Sequence, residues 1–165
     1  MKSQSKTNLI TGIMAIVAGV IVFLISGCFG PTAKTSVNYV LEDASFYNFL
    51  DGIGKFNQIT EWIIFSISLV LIVLGILALL RYKDVIKSNK FAKIINILMM
   101  TCFIILTLIC FTGFILMTAG QIHYGSHWRF NLYGYLVSTL IVAGCLATQI
   151  ILLVKENKKV TRIVK

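Results

Sequence analysis

The chain has 165 residues, of which 58% are hydrophobic and only 13% are charged, about half the charged fraction of a soluble domain, which is roughly 25%. Its apolar residues come in blocks, which excludes the alternating pattern of a soluble bundle and is typical of membrane spans. The net charge of +9 would suit nucleic acid, but it is divided among separate segments, so we expect no nucleic-acid partner.

Four stretches contain no Lys, Arg, Asp or Glu, and each is long enough to hold the roughly 20 apolar residues that cross a bilayer. The sequence therefore predicts an all-α membrane protein with one integral domain, a four-transmembrane-helix antiparallel bundle. The predicted spans are residues 9–28, 59–80, 94–120 and 131–154. Between and after them lie outer loops 29–58 and 121–130, a loop at 81–93 and a basic tail at 155–165.

The charges of the connecting segments are sorted by sign. The N-terminal segment, the loop 81–93 and the tail together hold twelve basic and two acidic residues, a net charge of +10 (12 − 2). Residues 29–61 and 121–130 hold three basic and four acidic residues, a net charge of −1 (3 − 4). Because the basic side of a membrane protein normally stays in the cytoplasm, we predict a plasma-membrane protein with both termini cytoplasmic. We also expect anionic lipids to gather at its basic face.

The first span carries a stripe of small residues, Gly12, Gly19 and Ser26. Small residues let a neighbouring helix approach closely, so the stripe predicts a helix-packing face. At the outer end of this span, Leu24-Ile-Ser-Gly-Cys28 matches a bacterial lipobox. Cys28 is therefore either a lipidated new N-terminus after cleavage or an ordinary cysteine at the membrane edge.

The first outer loop contains Phe46, Phe49, Leu50 and Ile53 at i, i+3, i+4 and i+7 spacing. This spacing predicts a short interfacial helix on the outer membrane surface, ended by Gly52 and Gly54. Its aromatic face either meets a partner or caps the helix bundle.

Two side-chain amides, Asn96 in the third span and Gln149 in the fourth, lie toward the basic ends of their spans. We expect them to form an interhelical polar contact of structural importance.

Both histidines of the chain, His123 and His127, lie four residues apart in the second outer loop. On a continuous helix this spacing suits two metal ligands, whereas the intervening Gly125-Ser126 indicates a turn. The alternatives are an outer-face metal, haem or quinone site, a pH-sensing contact, or an interfacial belt shared with Tyr124, Trp128 and Arg129. We expect no cofactor.

The fourth span contains two pairs of small residues four apart, Gly134 with Ser138 and Ala143 with Ala147, which predict a second packing face. Apart from Glu61 at the outer edge of the second span, the four spans contain no charged residue, and such residues normally mark ion and proton pathways. Catalytic motifs are absent as well. The sequence thus predicts a non-enzymatic accessory subunit that packs against another membrane protein or against itself. The alternative is a small oligomeric transporter or channel, lined by residues such as Ser66 and Thr107.

Overall fold

The computed structural model describes the backbone of residues 2–28, 44–83, 89–124 and 129–163. Side chains are described for residues 6–26, 52, 55, 56, 59–83, 90–119 and 132–155. These backbone ranges contain four helices and no strand. The helices are α1 (Lys2–Cys28), α2 (Ala44–Tyr82), α3 (Asn89–Tyr124) and α4 (Arg129–Ile163).

Each helix contains a segment long and apolar enough to cross a membrane, which confirms the predicted number of spans. The segments are Lys6–Ser26, Ile59–Tyr82, Lys90–Ala119 and Leu132–Lys155. The third has 30 residues and is therefore about 45 Å long at 1.5 Å per residue. Since the hydrocarbon core of a bilayer is about 30 Å thick, this segment tilts or projects beyond the core.

The surface of the bundle is apolar. Leu24, Trp62, Leu108 and Leu140 are all more than 60% exposed. The described interior, by contrast, includes seven buried polar side chains, those of Thr7, Thr11, Ser26, Thr60, Ser68, Ser138 and Gln149. A soluble bundle keeps its long apolar side chains inside, so this distribution matches surroundings of lipid.

The helices α1 and α2 run antiparallel. Gly12 lies against Gly75 of α2, whereas Gly19, one heptad later in α1, lies against Ser68, one heptad earlier in α2. The helices α3 and α4 are antiparallel by the same test. Gly113 of α3 contacts Tyr135 near the start of the α4 span, and Asn96 contacts Gln149 near its end.

Contacts of α2 with α3 and of α1 with α4 close the four helices into a ring in chain order. This arrangement brings the start of α1, the end of α2, the start of α3 and the end of the α4 span to one end of the bundle. The described lysines at that end, which we call the basic end, are all exposed: Lys6, Lys83, Lys90, Lys93 and Lys155.

The expected short helix before the second span does not end at Gly52 and Gly54, so that prediction is wrong. Instead, α2 continues unbroken from Ala44 to Tyr82, a length of 39 residues. A glycine inside a helix costs about 1 kcal/mol relative to alanine, but a helix already nucleated by its span gains one hydrogen bond for each residue added. The side chains of Phe46, Phe49, Leu50 and Ile53 lie outside the described set, so their membrane-surface role stays a prediction.

The contact between α1 and α2 is a reciprocal approach of two backbones. A Cβ atom built on Gly75 would lie 2.8 Å from the carbonyl oxygen of Gly12 and 2.7 Å from Cγ1 of Ile16. A Cβ atom built on Gly12 would lie 3.0 Å from the carbonyl oxygen of Gly75. Only residues without side chains permit this separation, so the small-residue stripe of α1 is occupied within the chain.

We expect Gly75→Ala to destabilise the protein by about 1–3 kcal/mol, the usual range for overpacking a close contact. The added methyl group would meet a backbone oxygen, which cannot move aside as the end of a flexible side chain does. The shift is measured as the change in unfolding free energy during titration of the detergent-solubilised protein with a denaturing detergent.

Gly144→Ala of α4 is the matched control, because a Cβ atom at Gly144 would meet nothing within 4 Å. Its stability should be unchanged, or should rise by up to about 1 kcal/mol through the higher helix propensity of alanine. Equal losses in both variants would show that the close α1–α2 approach is not what makes Gly75 sensitive.

Candidate functional site

The fourth helix is the most open in the bundle. Only 17% of its most apolar segment is buried, compared with 39% for α1. It packs against α3 and α1, and its remaining surface faces away from the bundle. A surface that binds a partner is therefore best sought on α4.

The inward face of α4 is polar for a membrane helix. Its most deeply buried side chains are Tyr135, Ser138, Val142 and Gln149, each at most 1% exposed. Their spacing of three, four and seven residues places them on one helical stripe. Three of the four carry a polar group, so α4 brings hydrogen-bonding groups into the centre of the bundle.

Tyr135 joins three helices. Its ring lies directly over Gly113 of α3, where a Cβ atom would come within 2.5–2.7 Å of three ring carbons. Its hydroxyl oxygen lies 3.0 Å from Oγ1 of Thr60 on α2. Since the Thr60 hydroxyl donates its hydrogen to the carbonyl oxygen of Phe56 at 2.8 Å, Tyr135 is the donor to Thr60. Glycine at 113 is thus the residue that lets the tyrosine reach α2.

Gln149 and Asn96 meet, as the sequence suggested, but through one backbone group. Nε2 of Gln149 donates to the backbone carbonyl oxygen of Asn96 at 3.2 Å. Oε1 of Gln149 and Oγ of Ser138 are the two buried side-chain atoms in the described part of the chain that have no hydrogen-bond partner. Both lie on α4.

Most other hydroxyl groups in the spans are satisfied locally. They donate to a backbone carbonyl oxygen three or four residues earlier, a common arrangement in membrane helices. This set comprises Thr11, Ser26, Thr60, Ser66, Ser68, Thr101, Thr107, Thr118, Thr139 and Thr148. Ser66 and Thr107, the residues considered for lining a channel, both belong to it.

The outward face of α4 contains a shallow depression made by small residues. Gly144, Ala147 and Thr148 are exposed there, and they lie between Leu140 and Ile151, which are 64% and 53% exposed. The hydroxyl of Thr148 donates to the carbonyl oxygen of Gly144 at 2.8 Å, so the depression presents no unpaired hydroxyl hydrogen. We call these five residues the α4 outer face.

The exposed surface of α3 consists mostly of large side chains. On α3, the exposed residues include Ile97, Leu108, Phe111 and Ile115. Four of the six glycines whose surroundings are described lie in tight helix contacts, namely Gly12, Gly19, Gly75 and Gly113. Gly144 is the one in a membrane-crossing segment that has open space beside it.

The small residues predicted from sequence therefore fall in different surroundings. Gly12, Gly19 and Ser26 are buried in the bundle, with both glycines packed against α2. Ser138 is buried and Gly134 half-buried, whereas Ala143 is half-buried and Ala147 is exposed. The two predicted pairs of α4 thus divide between its inward and outward faces.

The predicted residues of the second outer loop are only partly described. His123 and Tyr124 form the last turn of α3, and Arg129 is the first residue of α4. The positions of His127 and Trp128, and all five side chains, lie outside the described residues, as does the side chain of Cys28. Within the described residues, no group of three or more His, Cys, Asp or Glu side chains is placed to hold a metal.

Sequence reasoning missed Gly113, Gly75 and the Thr60–Tyr135 pair. The chain offers little signal for them, because each depends on how two distant helices are rotated against each other. Gly144 and Thr148, in contrast, are small residues four apart, so their spacing was a readable signal.

Neither the protein-family models, nor the curated proteins, nor the solved structures compared with this chain give a match.

We expect the hydroxyl pair of Tyr135 and Thr60 to stabilise the bundle by about 0.6–1.7 kcal/mol, the range measured for hydrogen bonds between membrane helices. The measurement is a double-mutant cycle of Tyr135→Phe, Thr60→Val and the double variant, with unfolding free energies determined in detergent.

Thr60→Ser serves as the control, because it keeps the hydroxyl and removes only a methyl group. It should retain most of the coupling to Tyr135. If the single losses add without interaction, then the 3.0 Å contact contributes nothing measurable to stability.

Proposed function

We propose that this protein is a non-enzymatic accessory subunit of a membrane complex, and that it binds its partner through the α4 outer face. The observation that supports the proposal most directly is the open space beside Gly144. A lipid-facing glycine weakens its helix by roughly 1 kcal/mol relative to alanine and gains no packing in return. A partner helix seated over it would supply that packing.

The shape of the α4 outer face suits a transmembrane helix. Helices in lipid associate through close packing because burial of apolar surface gives no advantage over lipid contact, and small residues allow that packing. Leu140 and Ile151 stand on either side of the small residues. A partner helix would fit between these two side chains, with its backbone near Gly144.

We further propose that the protein lies in the plasma membrane and that its basic end faces the cytoplasm. This orientation is supported by the five exposed lysines that the fold gathers at that end, because basic segments are normally retained on the cytoplasmic side. The same lysines would attract anionic lipid headgroups. A non-enzymatic role is supported by the described buried polar groups, which are hydroxyls and one amide, together with the absence of Lys, Arg, Asp and Glu from the central parts of the membrane-crossing segments.

The proposal is tested by photo-crosslinking of the protein in its native membrane. A photoreactive phenylalanine analogue is placed at Thr148, and in a control variant at Leu108 of α3, which is 61% exposed. We expect a defined protein adduct from position 148 and only lipid adducts from position 108. An adduct of twice the mass of the chain indicates self-association, whereas any other defined mass indicates a different subunit.

Gly144→Leu should fill the depression and reduce the adduct from position 148 at least tenfold, without lowering stability, because the added side chain points into open space. Gly144→Ala, which adds only a methyl group, should reduce it less. If position 148 yields lipid adducts alone, or if the protein adduct survives Gly144→Leu unchanged, the α4 outer face is not the binding surface.

A further inference from the structure

The side chain of Gln149 is the most deeply buried amide in the described part of the chain, at 1% exposure. Its Nε2 group donates to the carbonyl oxygen of Asn96, but no described donor reaches its Oε1 atom. Turning the amide over would not solve this, because Oε1 would then face the Asn96 carbonyl oxygen, which is also an acceptor. Because buried polar groups are nearly always hydrogen-bonded, we look for the donor outside the described side chains.

The position of Gln149 makes water the natural donor. It lies six residues before Lys155, and Asn96 lies three residues after Lys93. At 1.5 Å per residue, these separations are about 9 Å and about 4.5 Å along the helix axes. The amide is thus near the hydrated basic end of the bundle rather than in the middle of the bilayer.

The surroundings at this end are also polar enough for a bound water, which needs two to four hydrogen-bonding partners. The half-buried Asn96 carries a side-chain amide on the same turn of α3, whereas its carbonyl oxygen is already used by the helix bond from residue 100 and by Gln149. The neighbouring helix α1 contributes two buried hydroxyl residues at the same end, Thr7 and Thr11. Three of the seven described buried polar residues therefore lie at the basic end.

We propose that the basic end of the bundle contains an internal water-binding site in which Oε1 of Gln149 accepts a hydrogen bond from a water molecule held between α3 and α4. The water completes the hydrogen bonding of a group that helix contacts alone leave unpaired. The α3–α4 contact is then hydrated at the basic end, whereas at the other end the ring of Tyr135 packs directly on Gly113. This inference is independent of any partner of α4.

The test observes Gln149 directly. The chain has four glutamines, Gln4, Gln58, Gln121 and Gln149, so replacing the first three with asparagine leaves Gln149 as the only one. This variant is made by cell-free synthesis with ¹⁵N-glutamine and reconstituted in lipid. Water-edited solid-state NMR then measures the transfer of magnetisation from water to the side-chain amide. The reference is the parent protein, in which all four glutamines are labelled.

We expect the Gln149 amide to receive magnetisation from water within the mixing time that saturates the other glutamines, and its protons to exchange in D₂O within hours. Absence of transfer from water at mixing times that saturate the others would overturn the proposal. Such a result would mean that the amide is dry.

Stability provides a second readout. Gln149→Met keeps a similar volume and removes both the bond to Asn96 and the unpaired oxygen. If water completes the site, this variant loses two hydrogen bonds and its unfolding midpoint falls. If the site is dry, the loss of the single bond to Asn96 is offset by removal of an unsatisfied buried acceptor, so an unchanged or raised midpoint contradicts the proposal.

Discussion

Helices inside a bilayer gain no free energy from apolar burial when they leave lipid for one another, because lipid tails are as apolar as leucine. Shape and hydrogen bonds must then determine which helices meet. In this protein the closest meeting is between the backbones of α1 and α2 at Gly12 and Gly75. That contact sets the separation of α1 and α2, and α3 and α4 close the ring beside them.

The ring of four helices is packed unevenly as a result. The α1–α2 pair is in backbone contact, whereas α4 packs against its neighbours through side chains, both apolar and polar. Tyr135 fills the space over Gly113 and reaches Thr60, and Gln149 binds the Asn96 backbone. A helix attached in this way keeps most of its surface available. The open α4 outer face and the polar inward stripe are thus two consequences of one mode of attachment.

The helical architecture was predictable because it follows from local composition. Stretches without charge are too costly to expose to water and long enough to cross the membrane, and all of them became helices. The small residues of the first span predicted a close approach, but spacing alone does not identify the neighbour, and here the neighbour is α2. The Thr60–Tyr135 bond joins residues 75 positions apart, and no local pattern reports the rotation of two distant helices.

The sequence predicted neither the true extent of α2 nor most partners of the polar side chains in the spans. Gly52 and Gly54 suggested the end of a helix, yet a helix anchored in its span continued through them. From the sequence, most polar side chains in the spans look alike. In the structure, the majority bond to backbone carbonyls of their own helix. The structure separates the few that reach other helices, such as Gln149, from the many that do not. The side chains of the predicted histidine site lie outside the described set, so that site stays a prediction.

The length of α2 has a mechanical consequence. At 39 residues it is about 58 Å long, roughly twice the thickness of the hydrocarbon core, and it contains no proline at which to bend. An unbroken helix couples its two ends, and the glycine contact with α1 holds α2 between them. A sideways force on the turns before the span, on the side of the membrane opposite Lys83, would therefore tilt the basic end in the opposite direction. In this arrangement α2 acts as a lever whose pivot is the contact of Gly75 with Gly12, inside the membrane.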